Sequence, residues 1–199
     1  MWVLTREAGP AESYYALAGV VTPRPIAWVT SVDGAGRVNL APYSFFNVFG
    51  SAPPVVVFSP GLRPDGSKKD TLRNVEETGE FVVNAAVESL ADAVNASSVE
   101  LPHGESEAEL LGLALCPSRL VTPPSVVESP ARLECKVLQV LTVGTANLVI
   151  GEVLGIYVSD AVLDGSGRVD PSKLKTIARL GGEWYCRTSD LFRLARPTR

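Results

Sequence analysis

The stretch Ser67-Lys68-Lys69-Asp70-Thr71 brings hydroxyl and ammonium groups together just before a run with helical spacing. The first-turn amides of a helix lack intrahelical partners, and the helix dipole is positive at that end. A phosphomonoester carries nearly two negative charges at neutral pH, so charge-assisted hydrogen bonds would hold one there. The competing reading is a solvated helix start with Asp70 as a plain cap, because lysines near helix starts are common. Upstream, Asn39-Leu-Ala-Pro-Tyr-Ser-Phe-Phe-Asn47 sets small polar residues among aromatics, as a wall facing a polar planar ligand would.

Two apolar runs flank this wall. Pro23-Arg-Pro-Ile-Ala-Trp-Val-Thr-Ser-Val32 and Pro53-Pro-Val-Val-Val-Phe-Ser59 are short, rich in Val, Ile and aromatics, and bounded by Pro and Gly, so they read as buried strands. The first strand covers Ile26–Val32, and Asp33-Gly-Ala-Gly36 supplies its turn. The returning strand, Arg37 to about Asn47, is interrupted by Pro42, which marks a bulge or an edge. Lys69–Thr78 predicts a helix with Ser67 or Asp70 as N-cap and Gly79 as its stop. Glu80–Ala85 predicts a strand and Ser89–Val94 a short helix capped by Ser89. Ala131–Val143 and Asn147–Ser159 are long strands joined tightly at Gly144-Thr-Ala146. Both faces of the second are mostly apolar, as for a barrel strand whose outer side is covered. Lys173–Ala178 predicts a short helix and Trp184–Thr188 a last strand.

Residues 1–22 read as an N-terminal arm. Residues 99–130, punctuated by Pro117, Pro123, Pro124 and Pro130, form an irregular excursion that is too apolar for a free linker. The expectation is a single domain over residues 1–199, mainly β with short helices, closed or split as a barrel.

Composition narrows the chemistry. The 199 residues are 46% apolar and 20% charged, which suits one folded core. A net charge of −4 leaves no basic surplus for nucleic acid as the main partner. No apolar run is long enough to span a membrane, no secretory signal is visible, and the odd count of three cysteines suits reduced thiols; together these predict a cytoplasmic protein. A single histidine, His103, excludes a histidine-rich metal site and any catalytic triad that does not use it. There is no Gly-x-x-x-x-Gly-Lys-Ser/Thr loop and no Gly-x-Gly-x-x-Gly after a strand. His103 itself, in Leu101-Pro-His-Gly-Glu105, reads first as a solvated or capping residue. A protein that does chemistry with so few such groups borrows a cofactor.

Taken in order, Pro23-Arg-Pro-Ile-Ala-Trp-Val-Thr-Ser31, Asn39–Asn47, Pro53-Pro54, Lys68-Lys-Asp-Thr71, Glu80-Phe-Val-Val-Asn84, Asn95-Ala-Ser97, Leu133-Glu-Cys135, Gly151-Glu-Val153 and Arg179-Leu-Gly-Gly182 resemble the flavin reductase-like, FMN-binding split-barrel family, in its flavoredoxin-like branch. The resemblance implies a homodimer of split β-barrels with FMN near the dimer interface. It implies an oxidoreductase that takes hydride from NADH or NADPH and passes electrons to flavin, a metal complex or a partner protein. Carried over by position, Thr30 and Ser31 would lie beside the isoalloxazine ring, and Ser44 and Asn47 would meet its polar edge or the ribityl chain. Ser67, Lys68, Lys69 and Thr71 would hold the phosphate. Asn95, Ser97 and Arg179 would complete the pocket, from the same chain or its partner. The resemblance implies no catalytic side chain and no metal. Trp28 and Phe46 are candidates for the pocket wall, but core is the stronger reading for both. The family's Gly-Asp-His type segment, tied to the nicotinamide donor, has its nearest counterpart in Asp164-Gly-Ser-Gly-Arg-Val-Asp170, which has no histidine. An FMN-binding electron carrier or storage protein is therefore the alternative. A relative of pyridoxamine-phosphate oxidase, which shares the barrel, would want basic residues that are missing here.

Overall fold

The structure, a computed structural model, describes residues 2–197. An N-terminal helix, α1 (Pro10–Val20), leads to a short strand, β1 (Arg24–Pro25). Strands β2 (Ala27–Val32), β3 (Val38–Tyr43), β4 (Phe46–Ser51) and β5 (Pro54–Phe58) follow, then helix α2 (Asp70–Thr78) and strand β6 (Glu80–Ala85). Helices α3 (Ala91–Ala96) and α4 (Glu107–Leu110) and the two-residue strands β7 (Leu115–Cys116) and β8 (Ser125–Val126) carry the chain to a long hairpin, β9 (Ala131–Val143) and β10 (Ala146–Val158). Helix α5 (Pro171–Leu174) and strands β11 (Ile177–Arg179) and β12 (Tyr185–Arg187) end it.

Seven strands form one antiparallel sheet in the order β3-β2-β6-β9-β10-β5-β4. Its two end strands, β3 and β4, are consecutive in the chain and separated only by Ser44 and Phe45. The sheet therefore curls on itself and leaves a seam at that corner. Val29, Tyr43, Phe58, Phe81, Cys135 and Val149 point inward from six of the strands into one core. Helix α2 closes one side by adding Leu72 and Val75 to the same cluster. It ends at Gly79, whose φ of +73° suits glycine and lets its N–H reach the Val75 carbonyl at 3.1 Å.

Alternation in β2 sends its other residues outward. Trp28 is fully buried in a second cluster with Leu40, Val94, Ala108, Val126 and Ile177. Residues 99–130 are thus a cover over the outer face of β2 and β3, which explains their apolar content.

Three local expectations are corrected. The returning strand does not run through to Asn47; it breaks at Ser44-Phe45, and Phe46–Ser51 is a separate strand paired with β5. The helix expected over Lys173–Ala178 stops at Leu174, because Lys175 takes a left-handed φ of 47° and residues from Ile177 join β12. Ser89 lies in a 3-10 turn ahead of α3 and does not cap it.

Candidate functional site

β3 is an edge strand, paired with β2 on one side only. Pro42 is accommodated there because its missing N–H would face away from β2. The edge is used rather than left open: Leu40 N–H donates to Glu107 Oε2 at 2.9 Å. Between this edge, the start of α2 and residues 97–101 runs a groove whose walls include Asn39, Pro42, Tyr43, Arg63, Lys69 and Asp70. It opens past Pro42 and Tyr43 into a wider depression at the seam, reached by Ser44, Phe45 and again Lys69.

The N-terminus of α2 faces this groove. Neither Ser67 nor Asp70 caps it; Lys69 holds the N-cap position, and no side chain bonds the first-turn amides. Asp70 instead collects nitrogen partners: Arg63 Nη2 lies 2.9 Å from Oδ2 and His103 Nδ1 lies 2.6 Å from Oδ1. Lys69 makes no ion pair among the described residues. The positive end of the helix dipole, Arg63 and Lys69 thus meet at one corner of the groove.

Below it lies a buried polar pin. Thr71 Oγ1 accepts from Asn39 Nδ2 at 2.7 Å and from Tyr43 O–H at 2.8 Å, tying β3 to the helix. Burial pushes the Tyr43 phenol up, so it stays neutral and donates. Thr71→Val should cost about 1–3 kcal/mol in thermal unfolding, because two buried donors lose their acceptor. An unchanged melting temperature would remove the pin from this account.

Glu107 brings a buried carboxylate to the open edge of β3. Burial is the larger influence and pushes its carboxyl up; the Leu40 N–H pulls it down. An acid whose pKa is raised by folding loses stability once ionised and regains it as pH falls toward its ordinary value. Glu107→Gln keeps an acceptor for Leu40 without the charge. It should therefore melt above the unmodified protein at pH 8, and the gap should close on acidification toward 4.5. A gap constant across that range would contradict the assignment.

The expected site residues divide by place. Lys69 and Ser97 line the groove, and Ser44 lines its wider end with Lys69. Asn95 and Arg179 line an adjoining depression that shares Ser98 with the groove. There Arg179 donates to the Tyr185 hydroxyl at 2.6 Å, and that hydroxyl donates to Asn95 Oδ1 at 3.2 Å. Asn47 lies beyond the seam, its Oδ1 bonded to Val48 N–H. Lys68 points away from the groove, paired with Glu76 at 2.6 Å. Ser67 sits in the Arg63–Ser67 turn, its N–H bonded to Asp65. Thr30 and Ser31 do not share a surface. Thr30 donates outward to the Pro124 carbonyl at 2.6 Å, while Ser31 faces the interior and accepts from Asn74 at 3.1 Å. Ser97 is spent on the Trp28 indole. Trp28 is core, as expected, and Phe46 packs against the barrel interior.

Arg63 and Glu107 enter the site without having been singled out for it, whereas His103, read first as a solvated or capping residue, bonds Asp70 at the helix start. Arg63 carried a weak signal, a basic residue in the loop just before the helix; Glu107 arrives from the irregular cover and carried none. Of the cysteines, Cys135 is buried, and burial pushes its thiol up, so it offers no thiolate.

The chain matches the flavin reductase like domain over residues 20–171. It belongs to the flavin reductase-like family. A curated relative, an uncharacterized protein of Halalkalibacterium halodurans, is 45% identical over 193 residues, covering 94% of this chain and 92% of the relative. Nitrilotriacetate monooxygenase component B from Bacillus cereus superposes with a TM-score of 0.92 at 36% identity, covering 98% of each chain. The 2-nitrobenzoate 2-nitroreductase of Pseudomonas fluorescens gives 0.90 at 34% identity, covering 100% of this chain and 97% of that one. The fold of this flavin reductase-like chain, mainly β with short helices, is the split barrel.

Proposed function

We propose that this flavin reductase-like protein is an FMN-binding oxidoreductase that takes hydride from NADH or NADPH and passes electrons to a free flavin or another small-molecule or protein acceptor. The observation that carries this is the uncapped start of α2, flanked by Arg63 and Lys69, at the end of a groove walled by β3. That donor set fits a phosphate ester. Arg63, Lys69 and the first-turn amides would hold it, with Thr71 and Tyr43 keeping the helix start against β3. Ser44 and the Pro42–Phe45 corner would face the rest of the cofactor. Bound FMN would supply the acceptance of hydride and the onward transfer of one or two electrons. The chain's own part is to bind, orient and shield; no groove side chain is assigned a proton. Anaerobic addition of NADPH or NADH to the FMN-loaded protein tests the reading. Rapid loss of flavin absorbance supports the enzyme, whereas reduction only by dithionite or a redox protein supports the electron carrier. One observation favours that second reading: Asp164 spends its carboxylate on Ser166 and Arg168 within its own turn, so nothing there marks a nicotinamide site.

The functional unit we propose is a homodimer. Phe49 is 69% exposed, Ile156 64% and Val48 66%, apolar side chains of β4 and β10 that a second copy would cover. It would also let Asn95 and Arg179 serve a partner's groove. No described helix is long and apolar enough to cross a membrane; we propose a cytoplasmic location. Light scattering should give a dimer mass at micromolar concentration; a monomer would remove this part of the proposal.

A further inference from the structure

Residues 98–105 run mostly exposed between two buried anchors. At one end Ser97 accepts from the Trp28 indole at 2.9 Å and donates to the Val94 carbonyl at 3.0 Å. At the other, Ser106, Glu107 and Ala108 are buried, and Glu107 holds the β3 edge through Leu40 N–H. Between these anchors, Ser98–Leu101 forms one wall of the groove, facing β3 and the start of α2. Among the described residues, one side-chain hydrogen bond joins the span to α2: His103 Nδ1 to Asp70 Oδ1 at 2.6 Å, with the histidine 45% and the aspartate 11% exposed. The next residue, Gly104, has φ +89°, and a Cβ there would come within 2.5 Å of Arg37 Nη1. The left-handed φ is what calls for glycine there; Arg37, about half exposed, could swing aside from a Cβ.

We propose that residues 98–105 are a strap across the phosphate end of the groove and that His103 is its clasp, a positioning residue that sets how fast a phosphorylated flavin leaves. The proposal rests on the FMN reading above for its ligand, though not for the strap itself. With a neutral ring, Nδ1–H donates to Asp70; with a protonated ring, the same contact becomes an ion pair of roughly twice the strength. The added charge also lies beside the corner where Arg63 and Lys69 meet. Both effects make release slower whenever the ring carries the proton. The charged groups around the clasp are Asp70 itself, Arg63, Arg73 and Lys69 near the helix start, Arg37 beside Gly104, Glu100 and Glu105 on the strap, and Glu107 in its anchor. Glu107 has its own partner in Leu40 N–H.

The test is the release rate of FMN, and separately of riboflavin, from the full chain and from the His103→Ala and His103→Gln variants between pH 6 and 8.5. The flavin phosphate titrates near pH ~6 and by itself would speed release in acid, so each variant is compared with the unmodified protein at the same pH. His103→Ala should release FMN about tenfold faster at pH 6 and only about threefold faster at pH 8.5. Riboflavin should also leave His103→Ala faster, because an open strap frees any ligand. His103→Gln can donate a neutral hydrogen bond but cannot charge, so it should match the unmodified protein at pH 8.5 and fall behind it at pH 6. A variant-to-parent ratio near one, or one that does not change with pH, overturns the clasp. Amide hydrogen exchange without ligand judges the strap separately: residues 98–105 should exchange faster in His103→Ala. Equal exchange overturns the strap. Faster exchange in a protein that binds no flavin keeps the strap and overturns the FMN reading.

Discussion

Replacing Arg63 and Lys69 together by alanine lowers FMN affinity by about thirtyfold to several thousandfold, corresponding to about 2–5 kcal/mol for two charge-assisted contacts in a partly shielded site. The same change leaves riboflavin affinity nearly untouched, since riboflavin has no phosphate to lose. Lys68→Ala is the internal control. Its ammonium is already paired with Glu76 outside the groove, so FMN affinity should stay within about twofold. Isothermal titration or flavin fluorescence quenching reads all three. If Lys68→Ala weakened FMN as much as the double change, the phosphate would sit on the other side of the loop and the groove at the start of α2 would be the wrong one.

Trp28→Ala is the largest expected loss of stability, about 3–5 kcal/mol, or on the order of 10 °C in melting temperature for a chain of this size. Trp28 is fully buried beneath the 99–130 cover, and its indole N–H holds Ser97, the anchor from which the groove wall departs. Trp28→Phe keeps most of the volume and should lose only about 1 kcal/mol, the net worth of one buried hydrogen bond. Thermal unfolding of the two variants separates packing from anchoring. Similar losses from both would mean that the hydrogen bond, and not the packed volume, dominates.

The parts of the fold legible in the sequence are those where burial alternates or punctuation is strong. Glu80–Ala85 and Ala131–Val143 fall where their apolar pattern puts them, and Gly79 ends α2 because only glycine takes its backbone angle cheaply. The corner at Ser44-Phe45 was not legible, since a single serine between Tyr43 and Phe45 is a weak turn signal inside an aromatic run; the corner lets the sheet curl so that Tyr43 and Phe58 are buried together. Ser67–Thr71 was legible as a helix start, but adjacent lysines at such a start project to different sides, and only the position of Glu76 decides which one reaches the groove. Thr30 and Ser31 show the limit from the other direction. Strand alternation already forbids both from facing one ligand, and the structure puts one toward Pro124 and the other toward Asn74. Glu107 and His103 come from a segment without periodicity, where nothing local announces which strand or helix they will meet.

The claim that matters most is that the groove at the start of α2 holds FMN as a working redox group. The direct measurement is the absorbance spectrum of the purified protein with one equivalent of FMN, recorded anaerobically before and after NADPH or NADH is added. The account predicts saturable binding with flavin bands that bleach within seconds, and loss of both binding and bleaching when Arg63 and Lys69 are changed together. A protein that shows no saturable FMN binding, or one whose double variant binds and bleaches like the parent, contradicts it.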